Sequence, residues 1–145
     1  IRFHIVGEGS ELSSLKKLTT KLGLDSNVIF YGILRGSKLD DIYDKCDIGV
    51  DSLAMYKVGL NITSSLKTKE FTARGLPFIS SCKDHSFTSE VDFHYNVAND
   101  FSPINLSRII CWYEKSCFNP LEIRNYAKEN LSWDKQMIKV AKCIW

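Results

Sequence analysis

One segment of the chain combines residue types that suit phosphate binding with residue types that suit sugar binding. It runs Thr63-Ser-Ser-Leu-Lys-Thr-Lys-Glu-Phe-Thr-Ala-Arg-Gly-Leu-Pro-Phe-Ile79. Its three leading hydroxyl residues suit the start of a helix, where backbone N–H groups lack partners. Gly75 suits the left-handed residue just after a helix end, and Pro77 prevents the helix from continuing. The segment therefore predicts a loop, a short helix and a buried strand over 76–79.

Two lysines near the start of this predicted helix point to a bound anion. Lys67 and Lys69 lie where the positive end of the helix dipole disfavours cations. An anion at that end would reverse the sign of the interaction. Backbone N–H groups at a helix start, next to a lysine, form a site of the kind that binds phosphate. We therefore predict that Ser64, Ser65 and Leu66 offer N–H groups to a phosphate and that Lys67 adds charge.

Glu70 is the second feature with chemical potential. Leu66, Glu70 and Ala73 follow the i, i+4, i+7 spacing, which predicts that the carboxylate lies on the inward face of the helix. A partly buried carboxylate needs a partner, and sugar hydroxyls would each contribute about 1.5–3 kcal/mol as charge-assisted hydrogen bonds. The alternative is an ion pair with Arg74 or Lys67, worth only about 0.2–0.5 kcal/mol on an exposed helix. Spacing alone leaves both open.

The run Leu66-Lys-Thr-Lys-Glu-Phe-Thr-Ala-Arg-Gly-Leu-Pro-Phe-Ile79 resembles the nucleotide-sugar-binding segment of retaining glycosyltransferases with the GT-B fold, glycosyltransferase family 4. It is most similar to bacterial members that build capsular or other surface polysaccharides. The resemblance implies that the helix start holds the donor diphosphate and that Glu70 binds the ribose hydroxyls. The chain departs from the family at Ile62, where a further glutamate normally contacts the donor sugar. Thr63, Ser64 and Ser65 replace the usual glycines.

The order of elements predicts an α/β fold. Apolar runs at 3–6, 28–31 and 47–50 read as strands, and the stretches between them have helical periodicity. Leu12, Leu15, Leu18 and Leu22 share one helix face, and Ser37 is expected to cap the next helix. Strands separated by helices of this length indicate parallel βαβ units, and hence a doubly wound, Rossmann-like sheet. The resemblance implies that this sheet is the C-terminal half of a GT-B glycosyltransferase.

Two glycine-containing loops follow the first two predicted strands. Gly7 and Gly9 form a Gly-x-Gly turn, but Leu12 stands where a dinucleotide fingerprint needs its third glycine. A tight turn without a ligand is the favoured interpretation, although the family carries a Val-Gly-x-Gly segment near its cleft. By resemblance, the loop Gly32-Ile33-Leu34-Arg35 holds the nucleotide base through backbone groups. The alternative is a plain surface loop.

Composition limits the other classes of function. The chain has 145 residues, a net charge of +2 and 44% hydrophobic residues, which is ordinary for one globular domain and gives no case for nucleic-acid binding. No apolar run approaches the roughly 20 residues that cross a bilayer. Five cysteines without a Cys-x-x-Cys pair argue against metal ligation or a disulfide framework. The acidic run 40–47 reads as a solvated helix face rather than a metal site.

The resemblance also sets expectations for the whole protein. Residues 1–145 would be a single nucleotide-sugar-binding domain that lacks the first strand and the N-terminal, acceptor-binding domain. The nucleotide-diphosphate sugar would be a substrate, with no cofactor or metal. A hexose-type sugar would pass to a glycan or lipid-linked acceptor bound by the missing domain. No catalytic residue can be named in this chain, and alone it should transfer no sugar. The expected location is cytoplasmic, at the inner membrane face through the full-length protein.

Two other classes of function remain open. One is a different Rossmann-like nucleotide-binding domain, such as an oxidoreductase or a regulatory domain. The missing third glycine weakens that class, as does the absence of a ribose-binding acid about 20 residues further on. The other is a non-catalytic interaction module that keeps the transferase fold without binding a donor. Ile62, in place of the family's glutamate, supports this second class.

Overall fold

The computed structural model describes residues 1–88 and 91–144, apart from the side chain of Lys139. Parallel strands alternate with helices, so the predicted α/β class with parallel strands is confirmed. The described chain forms two compact units. The first is Ile1–Cys46, and the second begins at Asp47 and takes in the remaining described residues. Each unit has its own sheet.

The first unit is a two-stranded parallel sheet with two helices. Strand β1 is Phe3–Ile5, helix α1 is Leu12–Lys21, strand β2 is Val28–Phe30 and helix α2 is Ser37–Tyr43. The register pairs Phe3 with Val28 and Ile5 with Phe30. The α1 leucines share a face as predicted, yet those at 15, 18 and 22 are exposed.

The second unit is built on a three-stranded parallel sheet of order β3-β4-β5. The strands are β3 Gly49–Val50, β4 Phe78–Ser80 and β5 His94–Asn96, and a 3-10 helix spans Met55–Val58. The helices are α3 Leu66–Arg74, α4 Leu106–Ser116, α5 Pro120–Tyr126 and α6 Trp133–Ile144, with a π-helical stretch at Ala127–Leu131 between the last two. Pro120 lies in the first turn of α5, where a helix does not need the backbone N–H that proline lacks.

The core of the second unit surrounds its central strand. All three residues of β4 are buried, and Phe78 has no exposed surface. The Phe78 ring makes an edge-to-face contact with Phe87 at 5.1 Å between centroids and stacks on His94 at 4.7 Å. Phe71 of α3 packs against the same ring at 6.2 Å. This aromatic cluster fixes α3 on the sheet.

Helix α3 begins and ends where the sequence predicts. Ser65 is its N-cap, and Gly75 follows its end in the left-handed conformation with φ 78°. The prediction of its inward face is wrong. Leu66 and Ala73 are exposed and Glu70 is only partly covered, whereas Thr68, Phe71 and Thr72 are buried. The buried threonines satisfy their hydroxyls within the helix, because Thr68 Oγ1 donates to the Ser65 carbonyl at 2.8 Å and Thr72 Oγ1 to the Thr68 carbonyl at 2.7 Å.

The start of α2 also differs from the prediction. Ser37 is the first residue inside the helix, and Gly36 takes the N-cap position with φ 55°. Glycine adopts that backbone conformation without a steric penalty, so the chain enters α2 through a sharp turn that serine at the same place would strain. The strands predicted at 3–6, 28–31 and 47–50 are one or two residues shorter than expected, and the strand predicted at 76–79 is Phe78–Ser80.

Gly75 and Gly59 provide a matched test of the packing behind α3. Both have a left-handed backbone, with φ 78° and 71°. A Cβ at Gly75 would lie 2.5 Å from the Pro120 carbonyl oxygen, whereas one at Gly59 would meet nothing within 4 Å. We expect Gly59→Ala to lower the free energy of unfolding by about 1 kcal/mol. Gly75→Ala should cost about 1–3 kcal/mol more, because α5 must move. Urea denaturation measures both, and equal losses would contradict this account of the helix packing.

Candidate functional site

The start of α3 is tied to the end of β3 by one carboxylate. Asp51 follows β3 directly, and its Oδ1 accepts the Ser65 hydroxyl at 2.8 Å. The same Ser65 oxygen accepts the backbone N–H of Lys67 at 3.2 Å. Ser65 therefore caps the helix as an acceptor while its hydroxyl donates to Asp51. These hydrogen bonds connect the end of β3 to the start of α3.

Lys67 returns to this carboxylate. Its Nζ lies 3.3 Å from Asp51 Oδ1 and donates to the Ser52 hydroxyl at 3.1 Å. The Asp51 side chain is 4% exposed and that of Lys67 49%, so a buried carboxylate meets an ammonium that also reaches solvent. Lys69 likewise pairs with buried Asp84. The negative charge that the sequence analysis assigned to a ligand is thus supplied to both lysines by the protein.

Three backbone donors remain at the helix start. Within the described chain, the N–H groups of Ser64, Ser65 and Leu66 donate to no other residue. Ser64 and Leu66 are exposed residues, and Ser65 is half-buried. They coincide with the positive end of the α3 dipole. The arrangement offers hydrogen bonds to an anion placed beside the Lys67 ammonium.

Glu70 lies one turn further along α3 and pairs with Arg74. Its Oε1 accepts Arg74 Nε at 3.2 Å and Nη2 at 3.1 Å. The Glu70 side chain is 42% exposed. The ion pair that spacing left open is therefore formed. Both bonds use Oε1, so Oε2 accepts no hydrogen bond from another described residue.

The loop between β3 and α3 is held against the ends of β4 and β5. Asn99 Oδ1 accepts the Tyr56 N–H at 3.1 Å, and its Nδ2 donates to the Leu60 carbonyl at 2.8 Å. Ile62 forms a parallel bridge with Lys83, flanked by a bond of 3.0 Å from the Thr63 N–H to the Lys83 carbonyl. Ile62 itself is exposed. The loop thus reaches the α3 start in a defined conformation.

The two glycine loops of the first unit meet through one backbone hydrogen bond. The Gly7 N–H donates to the Gly32 carbonyl at 2.8 Å, which brings the two loops together at the carboxyl ends of β1 and β2. Gly7 has φ 133° and Gly32 φ 67°. The Gly9 carbonyl accepts the Leu12 N–H at 3.1 Å and begins α1. Ile33 is exposed and Leu34 half-buried. A nucleotide contact from Gly7, Gly9, Gly32, Ile33 or Leu34 stays a prediction.

His94 is the first residue of β5 and is half-buried. Its Nε2 lies 2.8 Å from the Ser80 hydroxyl oxygen, and its ring stacks on Phe78. Desolvation lowers the pKa of His94 from its ordinary value, against the opposing attraction of Asp84 and Asp51. The neutral form is therefore favoured, and we assign it to the core. His85 is exposed.

Residues 1–88 and 91–144 contain neither a metal-ligating cluster nor a membrane-spanning helix. No group of three or more His, Cys, Asp or Glu side chains has an arrangement that would hold a metal ion there. No helix in those ranges combines the length and apolar character needed to cross a membrane.

The signal for Asp51 was present in the sequence. Ligands of parallel sheets bind outside the carboxyl ends of strands, and Asp51 is the first residue after β3. Its partners Ser65 and Lys67 lie 14 and 16 positions further along, beyond the reach of helical spacing. Asn99, which holds the β3–α3 loop, lies further still, and no local pattern marks it.

The Asp51–Lys67 pair can be measured with a double-mutant cycle. We expect a coupling energy of about 1 kcal/mol between Asp51→Asn and Lys67→Gln, because the carboxylate is buried while the half-exposed ammonium is screened. Glu70→Gln with Arg74→Gln is the matched control, with a coupling of about 0.2–0.5 kcal/mol. Urea denaturation of the six variants gives both values. A coupling for Asp51–Lys67 no larger than the control would contradict the central place of this pair.

Comparison with known proteins identifies the family to which the chain belongs. A family model described as Glycosyl transferases group 1 matches residues 1–96 of the 145. The matched range contains both glycine loops, Asp51 and the whole of α3. Among curated proteins, no sequence matches the chain. The match covers more than half of the chain, and the chain belongs to the group 1 glycosyl transferases.

Proposed function

We propose that this chain is the donor-binding domain of a retaining glycosyl transferase and that the start of α3 binds the diphosphate of a nucleotide sugar. Membership of the group 1 glycosyl transferases supports a role in sugar transfer during glycan biosynthesis. The diphosphate site is proposed because hydrogen-bond donors, a cation and a carboxylate oxygen lie close together on α3. Three open N–H groups lie beside the half-exposed Lys67 ammonium, one turn before the open oxygen of Glu70.

The charge balance at the α3 start fits a diphosphate. Asp51 neutralises Lys67 in the absence of ligand, so the helix start carries no unbalanced ammonium. Because the Lys67 side chain is 49% exposed, Nζ has donors to offer on its solvent side while it keeps its contact with Asp51. A phosphate there gains the helix dipole, the N–H groups of Ser64, Ser65 and Leu66, and one ammonium.

The position of Glu70 fits a ribose. Glu70 lies four positions after Leu66 in the helix, which is a rise of about 6 Å along the axis. A ribose joined to the bound diphosphate would extend over this distance and place its hydroxyls at Glu70 Oε2. Arg74 keeps Oε1 and orients the carboxylate. The ion pair and ribose binding are therefore compatible.

Further parts of the proposal rest on the resemblance. The base would contact Gly32, Ile33 and Leu34, with Gly7 and Gly9 nearby in that loop pair. The chain would be one doubly wound domain, the C-terminal half of a GT-B enzyme of the kind that builds bacterial surface polysaccharides. A separate N-terminal domain would bind a glycan or lipid-linked acceptor at the cytoplasmic membrane face. The donor would be a nucleotide-diphosphate hexose, used without a metal or cofactor.

A non-catalytic interaction module is the second candidate. Exposed Ile62 in place of the family's glutamate favours it, as does the internal pairing of Lys67 with Asp51 and of Lys69 with Asp84. A module that has lost its donor would keep the fold and bind no nucleotide.

Nucleotide titration separates the two candidates. We expect UDP or GDP at millimolar concentration to shift the backbone amide resonances of residues 64–70 in ¹⁵N-labelled protein. Glu70→Ala should weaken binding about tenfold or more, because ribose hydroxyls lose a charged acceptor.

Glu114→Ala is the matched control, since Glu114 is an exposed glutamate on α4. It should leave the affinity unchanged. Spectra unaffected by either nucleotide would favour the interaction module. A loss below about twofold in Glu70→Ala would mean that Glu70 serves only its ion pair with Arg74.

A further inference from the structure

A cavity of about 380 Å³ lies at the carboxyl end of β3. Its walls come from the end of β3, from the first residues of the β3–α3 loop and from residues 98–104 after β5. Asp51 is part of the lining, so the cavity shares this carboxylate with the α3 start. Neither the family match nor the proposed diphosphate site assigns a role to this space.

Two aromatic rings form one side of the cavity. Tyr56 and Phe101 meet edge to face, with ring centroids 4.6 Å apart. Phe101 is 83% exposed, although burying such a ring would be favourable. The open face of this ring offers a flat apolar contact beside polar groups, which is the combination found in small-molecule sites.

The two charged groups that line the cavity are carboxylates, which accept hydrogen bonds. Asp100 Oδ1 accepts the Ser102 N–H at 2.7 Å and also the Ser102 hydroxyl. These bonds hold the carboxylate ionised and lower the pKa of Asp100 below its ordinary value. Its Oδ2 accepts no hydrogen bond from any residue in the described ranges. The ten residues that line the cavity include two aspartates and no Lys, Arg or His.

We propose that this cavity binds the uncharged pyranose ring of the sugar that the enzyme handles, an inference that rests on the proposed function. A pyranose presents hydroxyl donors at its rim, which suit Asp100 Oδ2, and C–H faces, which suit the Phe101 ring. A sugar acid would place its carboxylate against Asp100, and no cation lines the cavity to compensate, so the lining selects against uronic acids.

Hydrogen bonds of Asn99 fix the conformation of the cavity wall. The Tyr56 N–H donates to Asn99 Oδ1 at 3.1 Å, and Ser81 Oγ donates to the same oxygen at 3.1 Å. Asn99 Nδ2 donates to the Leu60 carbonyl and to Asn61 Oδ1. One amide thus joins the loop that carries Tyr56 to the strand ends beneath the cavity. A preorganised wall lowers the entropic cost of binding a small ring.

Free glycosides test the cavity independently of any nucleotide. We expect methyl α-D-glucopyranoside, -galactopyranoside or -mannopyranoside, added to ¹⁵N-labelled 145-residue chain, to shift the amides of residues 54–56 and 98–102. The Kd should be on the order of 1–10 mM, as suits a fragment of this size. Methyl glucuronoside should bind roughly fivefold or more weakly.

Phe101→Ala should weaken glycoside binding roughly tenfold. Trp133→Ala is the matched control, because Trp133 is an aromatic residue of similar exposure, 81%, that does not line the cavity. It should leave binding unchanged.

The outcomes separate this inference from the donor site. If none of the three neutral glycosides shifts residues 54–56 and 98–102 at about 100 mM, the sugar cavity is overturned, whatever nucleotides do. Equal binding of the glucuronoside, or an unaltered Kd in Phe101→Ala, would overturn it as well. If the glycosides bind as expected while nucleotides leave residues 64–70 unshifted, the cavity stands and the donor-diphosphate site fails.

Discussion

The hydrogen bond from Ser65 to Asp51 is the contact on which the organisation of this site depends. It joins the first residue after β3 to the N-cap of α3, with an oxygen–oxygen distance of 2.8 Å. The bond lets Ser65 cap the helix and lets Asp51 hold Lys67 at the same point. Because the carboxylate is buried, losing the Ser65 hydroxyl would cost it a hydrogen bond that water does not readily replace. Losing Asp51 would leave Lys67 at the positive end of α3 without its counter-charge. The strand, the helix and the cation are thereby positioned together.

This contact also explains how a cation can stand at the positive end of a helix. The dipole of α3 opposes Lys67, and Asp51 offsets that repulsion from within the fold. The compensation keeps the ammonium close to the open N–H groups of the first turn. A group arranged in this way needs little reorganisation to meet a phosphate, which is the property that a binding site for an anion requires.

Local features of α3 were predictable from the sequence, and its burial was not. Ser65 and Gly75 mark the helix ends because capping depends on neighbouring backbone groups, and the Glu70–Arg74 pair depends on helical spacing alone. The inward face was misassigned because Thr68 and Thr72 count as polar in any periodicity. Their hydroxyls donate to carbonyls in the preceding turn, so they are buried without an unsatisfied polar group. The Asp51 contacts and the bonds of Asn99 join distant positions, which spacing cannot reveal.

The most direct test of the proposed donor site is a crystal of the chain soaked in a nucleotide-diphosphate hexose. We expect diphosphate oxygens within hydrogen-bond distance of the Ser64, Ser65 and Leu66 N–H groups. Lys67 should contact the diphosphate, and the ribose hydroxyls should lie on Glu70 Oε2. An empty α3 start, with Lys67 bound to Asp51 alone and Glu70 to Arg74 alone, would contradict it.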